Sequence, residues 1–274
     1  MARPRINRVA LGDVHKVQKE LGVGKSILLT GAAGGVGQAI SAALTEADHE
    51  VVAFDRLETP GASRSIVGDI LDRRAVLEAA EDIDVIIHLA ASPDEADFID
   101  ELLEPNVRGL YHVCDAARAQ SVPRLVLASS VQVVTGHSFK VSGDSINQLI
   151  RIEDGPRVIN HYGLTKLWAE GIGEMYSRVH KMTVIAARLG WLPRSVEHAK
   201  DLEASSWGAD VYLSHGDAGR FFRACVETEL DEGQFEILFA CSKSANVDRF
   251  DLEPSRRILG YKPEDTWPEG QPFI

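Results

Sequence analysis

The stretch Leu28–Ile40, LLTGAAGGVGQAI, decides the fold. An apolar run stops at Thr30, the chain turns through five small residues, and a helix-like pattern begins. Gly31, Gly34 and Gly37 give the spacing G-x-x-G-x-x-G, with Gly35 and Val36 in the same turn. Glycine there permits a tight bend and lets backbone come close to a ligand. The start of the helix offers free N–H groups and a positive dipole end, which suit a pyrophosphate. The spacing alone is a weak signal, and a merely structural turn is the competing reading. A strand before it and a helix after it are the context that gives it weight.

Working outward, Asp55 ends the next strand candidate, 24 positions after Gly31. An acid at that place can accept both hydroxyls of an adenosine ribose and would repel a 2′-phosphate, favouring NAD over NADP. Arg56 beside it pulls the other way, because an arginine can host that phosphate. The plain reading of Asp55 is a solvated carboxylate at a strand end.

Further strand candidates are 26–31, 49–55, 65–69, 84–90, 124–130, 182–190 and 234–241. Most are continuous apolar runs without period-two alternation, as in strands buried on both faces of a parallel sheet. Helical patterns lie between them, in 35–47, 72–80, 106–120, 162–180 and 215–230. Strict β–α alternation predicts an α/β fold, a doubly wound parallel sheet. After Gly190 the alternation loosens. Residues 191–274 read as the last strands mixed with a small substrate-facing lobe, following a core domain over 26–190.

Composition fits this picture. The chain has 274 residues, 45% of them hydrophobic and 26% charged, so it can bury a large core and is not a disordered composition. The net charge of −12 disfavours nonspecific binding to nucleic acid or to an anionic membrane. No apolar run approaches the roughly 18 residues that span a bilayer. Cys114, Cys225 and Cys241 are widely spaced in apolar runs and read as buried free thiols in a reducing, cytoplasmic compartment. Residues 1–25 hold six Lys/Arg against two Asp/Glu and lack the apolar stretch of a signal peptide. They read as an N-terminal extension, with a short amphipathic helix possible over GDVHKVQKELG. The histidines show no metal-ligand spacing, so no metal is expected. His88 sits inside an apolar strand and reads as a core residue.

Tyr162 and Lys166 stand four apart in HYGLTK, which puts them on one face of a helix. An ammonium near a phenol favours the phenolate and lowers its pKa from about 10. A tyrosine so tuned can exchange protons with a substrate hydroxyl. Such a pair also arises by chance on amphipathic helices. Upstream, LVLASS ends a strand with Ser129 and Ser130, either of which can hydrogen-bond a substrate oxygen or simply the local backbone.

Taken together, TGAAGGVG, Asp55, GDI (68–70), HLAA (88–91), NVRG (106–109), LASS, YGLTK and RLG (188–190) resemble the extended short-chain dehydrogenase/reductase family, the NAD-dependent epimerase/dehydratase group. The motifs fall in the family's order across roughly residues 26–190. The resemblance implies a Rossmann-type sheet of about seven parallel strands. It implies Tyr162 as acid/base, Lys166 as its modulator and a nicotinamide-ribose ligand, and Ser130 as the hydroxyl that polarises the substrate. It sets Asp69 and Ile70 around the adenine, and Leu89, Ala90 and Ala91 in the loop lining the cofactor. Asn106 is implied as a cofactor-side structural or proton-relay residue.

Three functions compete: a dehydrogenase that releases NADH, an epimerase or dehydratase that recycles the hydride, and a noncatalytic dinucleotide sensor. Tyr162, Lys166 and Ser130 together argue against the sensor. Dehydratases of the group carry an acidic pair after the strand-end serine, and here SSVQVVTG has none. Nucleotide-sugar epimerases are usually longer, whereas only 108 residues follow Lys166 here.

Within the group the chain looks most like the uronate dehydrogenases, sharing TGAAGGVG, YGLTK followed by an aromatic and AE, RLG, and a tail of the form SAN…LGYKPED. That resemblance implies oxidation of a sugar acid or sugar with NAD. It implies Arg188 as a carboxylate ligand, with Ser92, Ser130, Val131 and Gln132 also at the substrate. Val131 and Gln132 stand where those enzymes usually have asparagine and histidine, so a neutral aldose or another small alcohol also fits. The family pattern further implies a homo-oligomer joined through the helices containing Asn106 and Tyr162.

Overall fold

In the computed structural model, residues 24–137 and 149–273 are described. The N-terminal extension, including its helix candidate, lies outside the described residues apart from Gly24 and Lys25. Seven parallel strands form one sheet: β1 (Ser26–Thr30), β2 (Glu50–Asp55), β3 (Arg64–Val67), β4 (Val85–His88), β5 (Arg124–Ser130), β6 (Thr183–Leu189) and β7 (Phe235–Ala240). Their spatial order is β3-β2-β1-β4-β5-β6-β7. All seven fall where the apolar runs predict them, within two residues at nearly every end. The chain starts in the middle, moves outward, then returns to the far side of β1. The crevice between the carboxyl ends of β1 and β4 is therefore the topological switch point, where open α/β sheets bind ligands.

Continuous apolar strands are needed because both faces are covered. Side chains alternate across a strand, so Ile27 and Leu29 enter one core layer while Leu28 enters the other. The first layer packs α1 (Gly35–Glu46) and α6 (His215–Glu227) through Ile40, Leu44, Phe221 and Phe222. The second layer packs α2 (Arg73–Ala79), α3 (Leu110–Ala119) and α4 (His161–His180) through Val76, Val113 and Tyr176. A third, smaller apolar cluster unites Val131, Val133, Val211, Phe239 and Phe250, with Trp191 and Trp207 packed against it. It gathers residues around the carboxyl ends of β5, β6 and β7. All three cysteines are free and buried, as the sequence suggests, and burial pushes the Cys114 thiol up to about 12.

One helix departs from expectation. The pattern predicts a start at Asn106, yet a wide π-helical segment, Phe98–Gly109, precedes α3 without a break. Asp97 starts it by accepting from the backbone N–H of Ile99 and Asp100, both at 2.9 Å. Pro105 inside it has no N–H to give, so the regular four-residue ladder cannot form there and a wider turn takes its place. Two short helices also go unanticipated, α5 (Val196–Ala204) and α7 (Glu253–Leu259).

His88 ends β4 and is buried, its Nδ1 2.8 Å from the Thr30 hydroxyl on neighbouring β1. Burial, helped by the Lys166 charge, drops its pKa from 6.5 to about 3. Between those values the unfolded chain binds the proton that the folded chain refuses. Stability contributed by this site is therefore complete above the unfolded value and falls as the pH drops below it. Unfolding free energies from denaturant titrations should fall by up to about 1.4 kcal/mol per pH unit at this one site from about pH 6.5 downward, and H88N should flatten that slope.

Candidate active site

The glycine turn connects β1 to α1 at the switch point. Gly31 has φ +75°, and a Cβ on it would lie 2.6 Å from the backbone nitrogen of Ala90. A Cβ on Gly37 would lie 2.3 Å from the carbonyl oxygen of Gly31. Only glycine allows β1, the turn and the loop after β4 to approach this closely. Asp55 fixes the turn from the side: its carboxylate accepts from the N–H of Ala33 at 3.0 Å and of Leu57 at 3.2 Å.

A cleft of about 900 Å³ runs from Asp55 and Asp69, over the glycine turn, to Ser130, Tyr162 and Lys166. Of the residues expected to hold the cofactor, Gly31, Gly34, Gly35, Val36, Gly37, Asp55, Asp69, Ile70, Leu89, Ala90, Ala91, Tyr162 and Lys166 all line it. Ser92, Ser130, Val131 and Gln132 line it as well. The donor set fits a dinucleotide, with an acid at the ribose end, a narrow backbone cradle in the middle and hydroxyl groups at the far end.

Two expected residues are not among those lining the cleft. Asn106 is buried and spends its amide on protein: it accepts from the Ser92 N–H at 2.7 Å and donates to the Ser92 carbonyl at 3.0 Å and the Thr165 hydroxyl at 3.1 Å. It pins the cleft loop to the tyrosine-bearing helix and does not line the cleft. Arg188 is 1% exposed and turns away from the cleft. Its Nε and one terminal nitrogen donate to the two carboxylate oxygens of Glu170 at 2.7 and 2.9 Å. Its other terminal nitrogen is buried and has no hydrogen-bond partner among the described residues.

Local structure places Ser130, Tyr162 and Lys166. Asn160 starts α4 by accepting from the Gly163 N–H at 2.7 Å, and Glu95 accepts from the Tyr162 N–H at 2.7 Å. Both side chains use the free donors of the helix start. One turn in, Lys166 Nζ donates to the Ala128 carbonyl at 2.9 Å and lies 5.5 Å from the centre of the Tyr162 ring. The Ser130 hydroxyl accepts from the Gln132 N–H at 3.2 Å and lines the cleft together with Tyr162. Burial lowers the Lys166 pKa to about 8. Burial pushes the Tyr162 phenol up to about 12, opposed by the Ser130 hydroxyl and the Arg194 charge. The sequence reading expects the lysine to lower the phenol. In this state desolvation dominates the phenol, and burial also lowers the ammonium of Lys166.

Sequence reasoning passed over four residues at the cleft. Trp191, Arg194 and Trp207 come from the irregular stretches after β6 and His198 from α5, and all four line the cleft. Arg194 is held by both oxygens of Asp94 at 2.7 Å, joining the loop after β6 to the loop after β4. Glu170 was visible only as the acid of LWAE. Its position four residues after Lys166 is the one signal that it shares the lysine's face.

Fold and site define a dinucleotide-binding Rossmann protein whose cleft ends in a serine, a tyrosine and a lysine. The chain belongs to the NAD dependent epimerase/dehydratase family, whose profile matches residues 27–192. It is 32% identical over 252 residues to the L-arabinose 1-dehydrogenase (NAD(P)(+)) of Haloferax volcanii, covering 87% of this chain and 96% of that one. It is 29% identical to the NAD-dependent glucose-6-phosphate dehydrogenase of the same organism, over 87% of this chain and 93% of that one. Among solved structures, the glucuronic acid dehydrogenase of Chromohalobacter salexigens superposes with a TM-score of 0.72 at 27% identity, covering 88% of this chain and 85% of that one.

The Glu170–Arg188 pair yields a stability test. E170A leaves a guanidinium buried without its partner and should cost about 3–5 kcal/mol in guanidinium-chloride unfolding. The double variant E170M/R188M should recover most of that loss. An Arg188 that served as a substrate ligand would instead give variants of unchanged stability and altered KM.

Proposed function

We propose that this protein is an NAD-dependent sugar dehydrogenase that oxidises a ring hydroxyl to a carbonyl and releases NADH. The observation that carries the reading is the meeting of Ser130, Tyr162 and Lys166 at one end of a cleft whose other end is a glycine turn guarded by Asp55. Similarity to sugar dehydrogenases over nearly nine-tenths of the chain supports it. No acidic side chain follows Ser130, which disfavours elimination of water.

Bound NAD would supply the hydride acceptor and a positive ring charge near the phenol. The chain's own residues do the rest. Ser130 and Tyr162 hold the reacting oxygen, and Tyr162 takes its proton as the carbon loses hydride and becomes a carbonyl. Lys166, fixed by Ala128, keeps a positive charge one helical turn from the phenol. Asp55 is suited to the two hydroxyls of the adenosine ribose, which favours NAD over NADP. Positioning and general-base catalysis carry the rate.

The exposed face of α4 bears Leu164, Trp168, Met175 and Val179, and α3 adds Tyr111, each at least 39% exposed. These positions recur at helical spacing on one surface. We infer that they join two copies of the chain.

Three measurements test this. Y162F should lower NADH formation by about 10²–10⁴-fold while NAD binding, followed by fluorescence, persists. Full activity in that variant overturns the assignment. The oxidation rate should rise toward alkaline pH, because the base form of a phenol held at about 12 is scarce near neutrality. W168E should shift the sedimenting species from dimer to monomer. A wild-type chain that already sediments as a monomer overturns the association.

A further inference from the structure

The start of α1 opens onto the middle of the cleft, where Gly34, Gly35 and Val36 line it. Helices α2, α4, α5 and α6 begin with side-chain caps from Asp72, Asn160, Ser195 and Ser214. Gly34 supplies no such cap to α1, and the first turn of α1 holds no acid. Free N–H donors at the positive end of a helix suit a bound anion.

One cation lies directly on that helix start. A Cβ built on Gly35, the first residue of α1, would come within 3.2 Å of Arg194 Cγ and 3.4 Å of its Cβ. The Arg194 stem therefore crosses the glycine turn. Its Nη2 donates to both oxygens of Asp94. A guanidinium carries donors on all three nitrogens, so Nε and Nη1 remain for another acceptor. Asp94 is 66% exposed, and an ion pair so open to water holds its partners weakly. The Arg194 charge also reaches Tyr162, whose phenol it draws down against burial.

The balance of charge gives that cation a task. Asp55, Asp69, Asp94, Asp100, Glu101 and Glu104 line the cleft, against Arg56, Lys166 and Arg194. Lys166 is engaged with Ala128 and Tyr162 at one end, and Arg56 stands beside Asp55 at the other. A dinucleotide brings two more negative charges to the middle of this acidic cleft. Arg194 is the cation that touches the helix there, and a guanidinium matches phosphate oxygens in charge and in donor geometry.

We propose that Arg194 is a cofactor-binding residue that donates from Nε and Nη1 to the diphosphate of the dinucleotide, while Asp94 holds Nη2 and keeps the guanidinium aimed across the glycine turn. The proposal deepens the dehydrogenase reading above and rests on its dinucleotide site.

The test uses the full chain and reads binding without turnover: NADH by fluorescence, and ADP-ribose and adenosine by displacement of NADH. R194M keeps an unbranched stem on Gly35 but removes the charge and the donors. It should weaken NADH and ADP-ribose by about 10–100-fold, the worth of a charge-assisted hydrogen bond, and leave adenosine within about threefold. R194K, which keeps the charge without the fork, should recover part of the loss. The fall of ADP-ribose affinity with added NaCl should be steeper in the wild-type chain than in R194M, a difference that lost packing would not produce. Unchanged affinity for NADH and ADP-ribose in folded R194M overturns the proposal, and so does an equal loss for adenosine. A raised KM for an anionic sugar with unchanged ADP-ribose affinity assigns the arginine to substrate, which overturns the proposal and leaves the dehydrogenase intact. A wild-type chain that binds neither NADH nor ADP-ribose overturns the dinucleotide site itself, and this proposal with it.

Discussion

The carboxylate of Glu170 holds the working end of the molecule together. It accepts from the Ser129 hydroxyl at 2.7 Å and from two nitrogens of Arg188, so one buried group ties α4 to β5 and β6. Ser129 is paired with Arg188 in the sheet register, which puts both donors side by side. The neighbour of Ser129 is Ser130, and one helical turn before Glu170 is Lys166. A carboxylate and a guanidinium both removed from water must satisfy each other or destabilise the fold. Their mutual satisfaction sets the height of α4 against the sheet, and with it the approach of Tyr162 to Ser130.

The same logic recurs around the cleft. Its loops have no regular structure of their own, so side chains from fixed elements hold them. Asn106 grips the loop after β4 by both backbone groups of Ser92. Glu95 reaches back from that loop to the start of α4. Asp94 and Arg194 join it to the loop after β6. A site assembled in this way can place groups to a fraction of an ångström although several sit outside helices and strands, which is what transfer between positioned atoms needs.

Much of this was legible in advance. The sheet was, because strands covered on both faces must be apolar without interruption, and β1, β4 and β5 are. The glycine turn was, because Gly31 and Gly37 stand where any side chain would strike backbone. Tyr162 and Lys166 were, because their spacing is local to one helix. Arg188 was misplaced for the opposite reason: an arginine at a strand end faces either the cleft or the core, and the choice is made by Glu170 on another element. Asn106 was expected from its motif as a structural or proton-relay residue, and its contacts with Ser92 and Thr165 are those of a loop anchor.

The sequence by itself determined the strands, the glycine turn and the shared helix face of Tyr162 and Lys166, since each is written within a few residues of chain and obeys a local periodicity. Only the tertiary structure decided which charges remain available to a ligand. Whether a buried ion is paired depends on a partner brought from another element, as Glu170 is to Arg188. The contact of Arg194 with Gly35 depends likewise on a loop that folding sets against the helix start, and no local pattern encodes that meeting.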